Sequence, residues 1–151
     1  MTALADTTAA SVPRARLIIY TIAAVIALAG LADATYLTVQ HFTGENIVCG
    51  GSADCSKVLG SRYSHIGRIP VAGLGLLGYY TVFSLATFAA FGSVRASRFF
   101  VWMVGMMFAG TLWFLFVQAF LLHTFCRLCL LSAAFVFLLA GLVVATPPRD
   151  D

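Results

Sequence analysis

The sequence predicts an all-α integral membrane protein: a four-transmembrane-helix bundle with an outer loop containing a short amphipathic helix. Three observations lead there. Of 151 residues, 61% are hydrophobic and 10% charged, with a mean hydropathy of +0.96. A soluble domain has about 25% charged and roughly 45–50% apolar residues, so this chain cannot cover itself with polar surface and lipid is its solvent. The apolar residues also run continuously, where a membrane β-strand would alternate. Finally, four stretches reach or approach the ~20 residues that a helix needs to cross the hydrocarbon core.

Residues 1–16 form a tail, and the first span runs over 17–39, interrupted only by Asp33. The stretch "RARLIIYTIAAVIALAGLADA" also has the outline of a signal peptide, with Ala32 and Ala34 in place of a cleavage site. Its apolar core, Leu17 to Ala32, is slightly too long for that reading, and a retained span is expected. An outer loop covers 40–70. The second span (71–91) and the third (99–122) contain no charged residue. The fourth is apolar from Leu128 to Ala145 and borrows a turn from the residues before it, giving 125–145; residues 146–151 form a second tail. No hydrophilic block is long enough to fold alone, so 17–145 is read as one membrane domain.

An even number of spans puts both termini on one side. Two arginines, Arg14 and Arg16, precede the first span, and no basic residue follows it until Lys57. The positive-inside rule then places the termini in the cytoplasm and the 40–70 loop outside. A bacterial inner membrane is the expected location, with all four cysteines on its oxidising face. The net charge of +3 is too small and too scattered for a nucleic-acid partner.

The outer loop, "NIVCGGSADCSKVLGSRYSHIGRIPVAG", is the one sizeable polar segment. Gly50 and Gly51 give the chain between Cys49 and Cys55 the freedom to fold back until the two sulfurs meet. Asp54 is placed to cap a short helix starting at Cys55, with Val58 and Leu59 facing the membrane surface and Lys57 and Arg62 facing water. Gly67 and Pro70 then break the chain before the second span. On its own this pair reads equally well as a static staple.

The second pair stands in "HTFCRLC". Thr124 is a suitable N-cap, which would put Cys126 and Cys129 in the first turn of the last helix, on one face and within disulfide range. Unbonded N–H groups, the positive end of the helix dipole and Arg127 all stabilise a thiolate there. Cys-x-x-Cys at a helix start is an arrangement for reversible dithiol chemistry. At this depth Cys129 can meet an oxidant dissolved in the bilayer while Cys126 stays within reach of the loop. Zinc is the competing use of four cysteines, but Cys-x5-Cys is not a short knuckle and His65 and His123 are surplus. No metal is expected.

With those motifs in place, the chain resembles the vitamin K epoxide reductase family in its bacterial branch. The resemblance rests on "CGGSADC" after span one, the following "CSKVLGSRY", the "IP" before span two and "FCRLC" opening span four; it covers about Arg14 to Ala145. It implies a helix bundle around a quinone of ubiquinone or menaquinone type, with the loop lying over it. It also implies that Cys49 exchanges with a thioredoxin-like partner, that Cys55 relays through a transient disulfide with Cys126, and that Cys129 faces the quinone. Ser61, in "LGSRY", matches a serine that the family places near the redox centre. The animal enzymes carry an asparagine early in span two and a tyrosine just after Cys-x-x-Cys. Here "IPVAGLGLLGYY" has no amide, and Ser132 and Ala133 occupy the second neighbourhood, which favours quinone reduction over epoxide reduction. Many bacterial members carry a fused thioredoxin-like domain; with the chain ending in "TPPRDD", the partner is expected to be a separate periplasmic oxidoreductase.

Other residues divide between two readings. Asp33 is a costly residue for lipid and so a functional candidate, although it lies close enough to the span's outer end to reach interfacial water. Trp113 and Phe114 (and Phe116) in "GTLWFLFVQAF" are candidates to stack on a quinone ring, or they are packing and interfacial aromatics. Gln118 is a candidate hydrogen-bond donor to a quinone oxygen or to a neighbouring helix. The expected function is a membrane thiol:quinone oxidoreductase. Reduction of vitamin K epoxide and a structural protein with static disulfides are the alternatives.

Overall fold

The computed structural model describes residues 14–43, 62, 65–123, 125 and 127–146. Helix α1 spans Arg14–Thr43, α2 Val71–Ala90, α3 Val94–Phe116 and α4 Arg127–Ala145. All four are long and apolar enough to cross a membrane, and the protein is an integral membrane protein. Cys49, Cys55, Ser61, Thr124, Cys126 and the loop helix expected from Cys55 lie outside the described residues.

Small residues decide how these helices meet. Along α1, Ala23, Ala27, Gly30 and Ala34 recur at helical spacing and are all buried. The alanines share one core cluster with Val82, Ala86 and Ala89 of α2, Gly75 lies against Ala34, and α1 and α2 share the largest interface in the bundle. Between apolar helices in an apolar solvent, close approach is what gains dispersion energy, and small side chains permit it. Larger residues point the other way: Val25, Leu77, Trp102, Met106 and Leu138 are all more than half exposed. Such a surface suits lipid, not water.

Six hydroxyls in the spans are satisfied within their own helix. The hydroxyls of Thr21, Thr35, Thr38, Thr81, Ser84 and Thr87 each donate to the carbonyl four residues back, at 2.7–3.0 Å. With no water to bond, an unmet hydroxyl would cost several kcal/mol, roughly.

The α2–α3 connection is three residues long. Ser93 N–H bonds Phe88 O at 3.2 Å and Gly92 N–H bonds Ala89 O at 3.0 Å, the Schellman arrangement, with Gly92 at φ 97°. Ser93 then caps α3 by accepting from the Ala96 N–H at 3.4 Å. This cap starts α3 at Val94, ahead of the apolar stretch that begins at Phe99. At the opposite end of the bundle, β1 (His65–Ile66) and β2 (Ile69–Pro70) form a small antiparallel hairpin leading into α2. Gly67, at φ 67°, supplies its turn. The sequence reading marked Gly67 and Pro70 as chain breakers and missed the pairing, which is too short to leave a periodic signal.

Candidate functional site

The loop end of the bundle is where α1 finishes, α2 and α4 begin, and α3 closes. There α3 passes into a π-helical turn, Val117–Leu122, in which His123 N–H bonds Gln118 O. His123 ends it in the left-handed region, at φ 50° and ψ 31°. The wider turn carries Val117 and Gln118 inward, both fully buried. Irregular turns of this kind within helices are frequent at functional sites.

Beneath that end the helices leave a cavity of about 540 Å³. It is within the range of small-molecule pockets, roughly 300–1,000 Å³. Pro70, Leu74 and Gly75 of the α2 side, Met107 and Phe114 of α3, and Val136 of α4 give it apolar walls. The polar groups on the wall are few: the Cys129 thiol, Ser132, Tyr79, Thr111 and Gln118. Cys129 is the third residue of α4, so it sits in the helix's first turn, half-buried. Ser132 follows one turn deeper on the same face.

Tyr79 bridges two helices at the cavity floor. It is 1% exposed, and its hydroxyl donates to Ser132 O at 2.8 Å and lies 2.9 Å from Ser132 Oγ. Its ring rests on Gly30 of α1, where any Cβ would overlap the phenol carbons. The neighbouring Tyr80 is 59% exposed and faces outward.

Of the residues singled out in the sequence, Cys129, Trp113 and Phe114 line the cavity together. Trp113 is 62% exposed, at the rim, whereas Phe114 is half-buried. Phe116 is not on the wall. It belongs to an outward row, 6.0 Å from Trp113 and 4.9 Å from Phe120 between ring centroids. Asp33 is buried in α1 behind the wall; its neighbour Ala34 reaches the cavity. Gln118 lines it, and Gly75 and Gly78 combine close packing with cavity wall. Cys49, Cys55, Cys126 and Ser61 lie outside the described residues. The sequence reading passed over Tyr79 as a site residue and took Ser132 only as the lack of a tyrosine. A hydroxyl three residues after Cys129 on a helix was the available signal for Ser132.

The arrangement can hold a planar apolar molecule with a sulfur at one edge and hydroxyls one helical turn away. The family model described as "Vitamin K epoxide reductase family" matches residues 21–144, which reach into all four helices.

Proposed function

The chain belongs to the vitamin K epoxide reductase family, whose enzymes are thiol:quinone oxidoreductases, and from this we propose that it sustains disulfide formation outside the cytoplasm. Thiols of a thioredoxin-like partner enter through Cys49–Cys55, exchange to Cys126–Cys129, and reduce a membrane quinone of ubiquinone or menaquinone type. Each exchange is attack of a thiolate on a disulfide sulfur. The final step oxidises the Cys126–Cys129 dithiol to a disulfide and delivers two electrons and two protons to the quinone, giving the quinol. No metal takes part.

The observation that carries this reading is Cys129 on the wall of a mostly apolar cavity within the bundle. Walls of Phe114, Leu74 and Val136 suit a lipid-soluble ring, and Trp113 at the rim suits its insertion from the bilayer. Arg14, Arg16, Arg95 and Arg98 stand at the bundle end opposite the cavity, which supports an orientation with that end in the cytoplasm and the cysteines outside. Ser61 is assigned to the surroundings of the redox centre.

The direct test supplies a reduced thioredoxin-like protein and a soluble quinone and follows quinone reduction in each single cysteine variant. Thiol states are trapped in parallel. Cys126→Ala should leave the loop pair accumulating as dithiol in cells, because Cys55 has lost its acceptor. Identical thiol states in variant and wild type would refute the relay. For the pocket, Phe114→Ala should raise the quinone KM by roughly tenfold, the equivalent of about 1.4 kcal/mol of lost contact. Its KM for the thiol donor should stay unchanged.

A further inference from the structure

Quinone reduction consumes two protons, and the structure contains a line of polar groups from the cavity wall to α1 able to carry one of them. We propose that Ser132, Tyr79 and Asp33 form a proton-delivery chain to the quinone oxygen, with Ser132 as the donor that touches it. The inference rests on the reading of the cavity as the quinone site.

Ser132 lies one turn below Cys129 on the same face of α4, and both line the cavity. A ring attacked near Cys129 therefore presents an oxygen to the Ser132 hydroxyl. Behind Ser132 stands Tyr79, whose hydroxyl is 2.9 Å from Ser132 Oγ. That contact allows Tyr79 to return a proton to Ser132 as Ser132 gives one up. The phenol end of Tyr79 lies against Gly30, one helical turn from Asp33 on α1.

Asp33 is the only charged residue in the four apolar stretches. It is 9% exposed, and its buried Oδ2 has no hydrogen-bond partner among the described residues. A buried carboxyl oxygen without a partner costs free energy wherever it occurs, so its retention in a span points to use. It lies ten residues before the end of α1, roughly 15 Å along the helix from the loop end. Water at that face is the source that refills it. Across from Asp33, α2 presents Tyr79 as its titratable group, and α4 presents Ser132 and, a turn nearer the loop, Cys129.

The proton balance closes. Ser132 donates one proton to the reduced quinone oxygen beside it, Tyr79 reprotonates Ser132, Asp33 reprotonates Tyr79, and water at the loop face reprotonates Asp33; the other quinone oxygen takes a proton of the dithiol. The dithiol loses two electrons, and its remaining proton passes to the aqueous side. Net, dithiol and quinone become disulfide and quinol.

The test uses the full chain in detergent, with dithiothreitol as donor and a short-chain benzoquinone as acceptor. Asp33→Asn and Tyr79→Phe are expected to lower kcat by roughly 10²-fold, the scale of general acid catalysis. The quinone KM should stay within about twofold, and the solvent deuterium isotope effect on kcat should grow. Asp33→Glu should restore most of kcat, which a packing role would not predict because the longer side chain fits a buried site less well. Should Asp33→Asn fail to fold, Tyr79→Phe and Asp33→Glu decide by the same readouts. Two outcomes overturn the proton chain while leaving the quinone site intact: an active wild type with both variants unchanged, or a loss confined to KM. A wild type that reduces no quinone overturns the quinone site itself.

Discussion

Cys129→Ala is expected to abolish dithiol-driven quinone reduction, with a fall in kcat on the order of 10⁴-fold, and to leave the fold intact. In the relay proposed above Cys129 is one half of the dithiol that reduces the quinone, and without it the Cys126–Cys129 disulfide cannot form. Among the described residues, Cys129 is the thiol on the cavity wall. It stands in the first turn of α4. Serine in its place would keep the size and lose the reactivity, since a hydroxyl does not exchange with a disulfide. Because Cys129 is half-buried at a cavity edge, alanine there leaves little new void, and thermal unfolding should move by only a degree or two, roughly. Quinone should still bind Cys129→Ala, seen as quenching of tryptophan emission from Trp113 at the rim. Retention of more than about a tenth of wild-type turnover would remove Cys129 from the reaction.

Gly30→Val is expected to be the most damaging single substitution of a glycine in the bundle. A Cβ built there would overlap Cε1, Cζ and Cδ1 of Tyr79, and Tyr79 cannot yield. It is 1% exposed, and its hydroxyl is held at Ser132. The two helices must therefore separate, opening the α1–α2 seam that Ala23, Ala27 and Ala34 otherwise close. Gly30→Ala alone should cost roughly 1–3 kcal/mol, the range for overpacking a filled core, and valine more. Gly78→Ala is the informative comparison. Its Cβ would meet the Met107 thioether at 3.2–3.4 Å, and a flexible methionine can shift. Gly105→Ala and Gly141→Ala meet nothing within 4 Å and should be neutral or stabilising, because alanine is the better helix former. Thermal unfolding of the detergent-solubilised protein should rank them in that order. A Gly30→Ala variant as stable as Gly105→Ala would mean that Tyr79 does not occupy this position.

How much of this could be read before any coordinates follows from the nature of the solvent. Hydropathy is a local property, so the four spans, the integral membrane character and the family resemblance were legible in runs such as "LLSAAFVFLLAGLVVA" and in the thiol motifs beside them. Which face of each helix points inward was not. In water, the buried face of a helix is apolar and the outer face polar, so the sequence shows its orientation. In lipid both faces are apolar, and that contrast disappears. Tyr79 and Tyr80 are adjacent and chemically alike, yet one is enclosed and the other faces outward. Trp113, Phe114 and Phe116 share one aromatic run, but packing alone separates the rim, the wall and the outward row.

Composition and motif spacing by themselves determined that this chain lives in a membrane, crosses it as four helices and handles thiols. Those features depend on what each residue is. Tertiary structure alone decided that Cys129, Phe114, Gln118 and Ser132 border one cavity, that Tyr79 ties α2 to α4 across Gly30, and that Asp33 stands behind the wall rather than on it. Those features depend on how closely small residues let neighbouring helices approach, and that sum of long-range contacts is written in no single stretch of the chain.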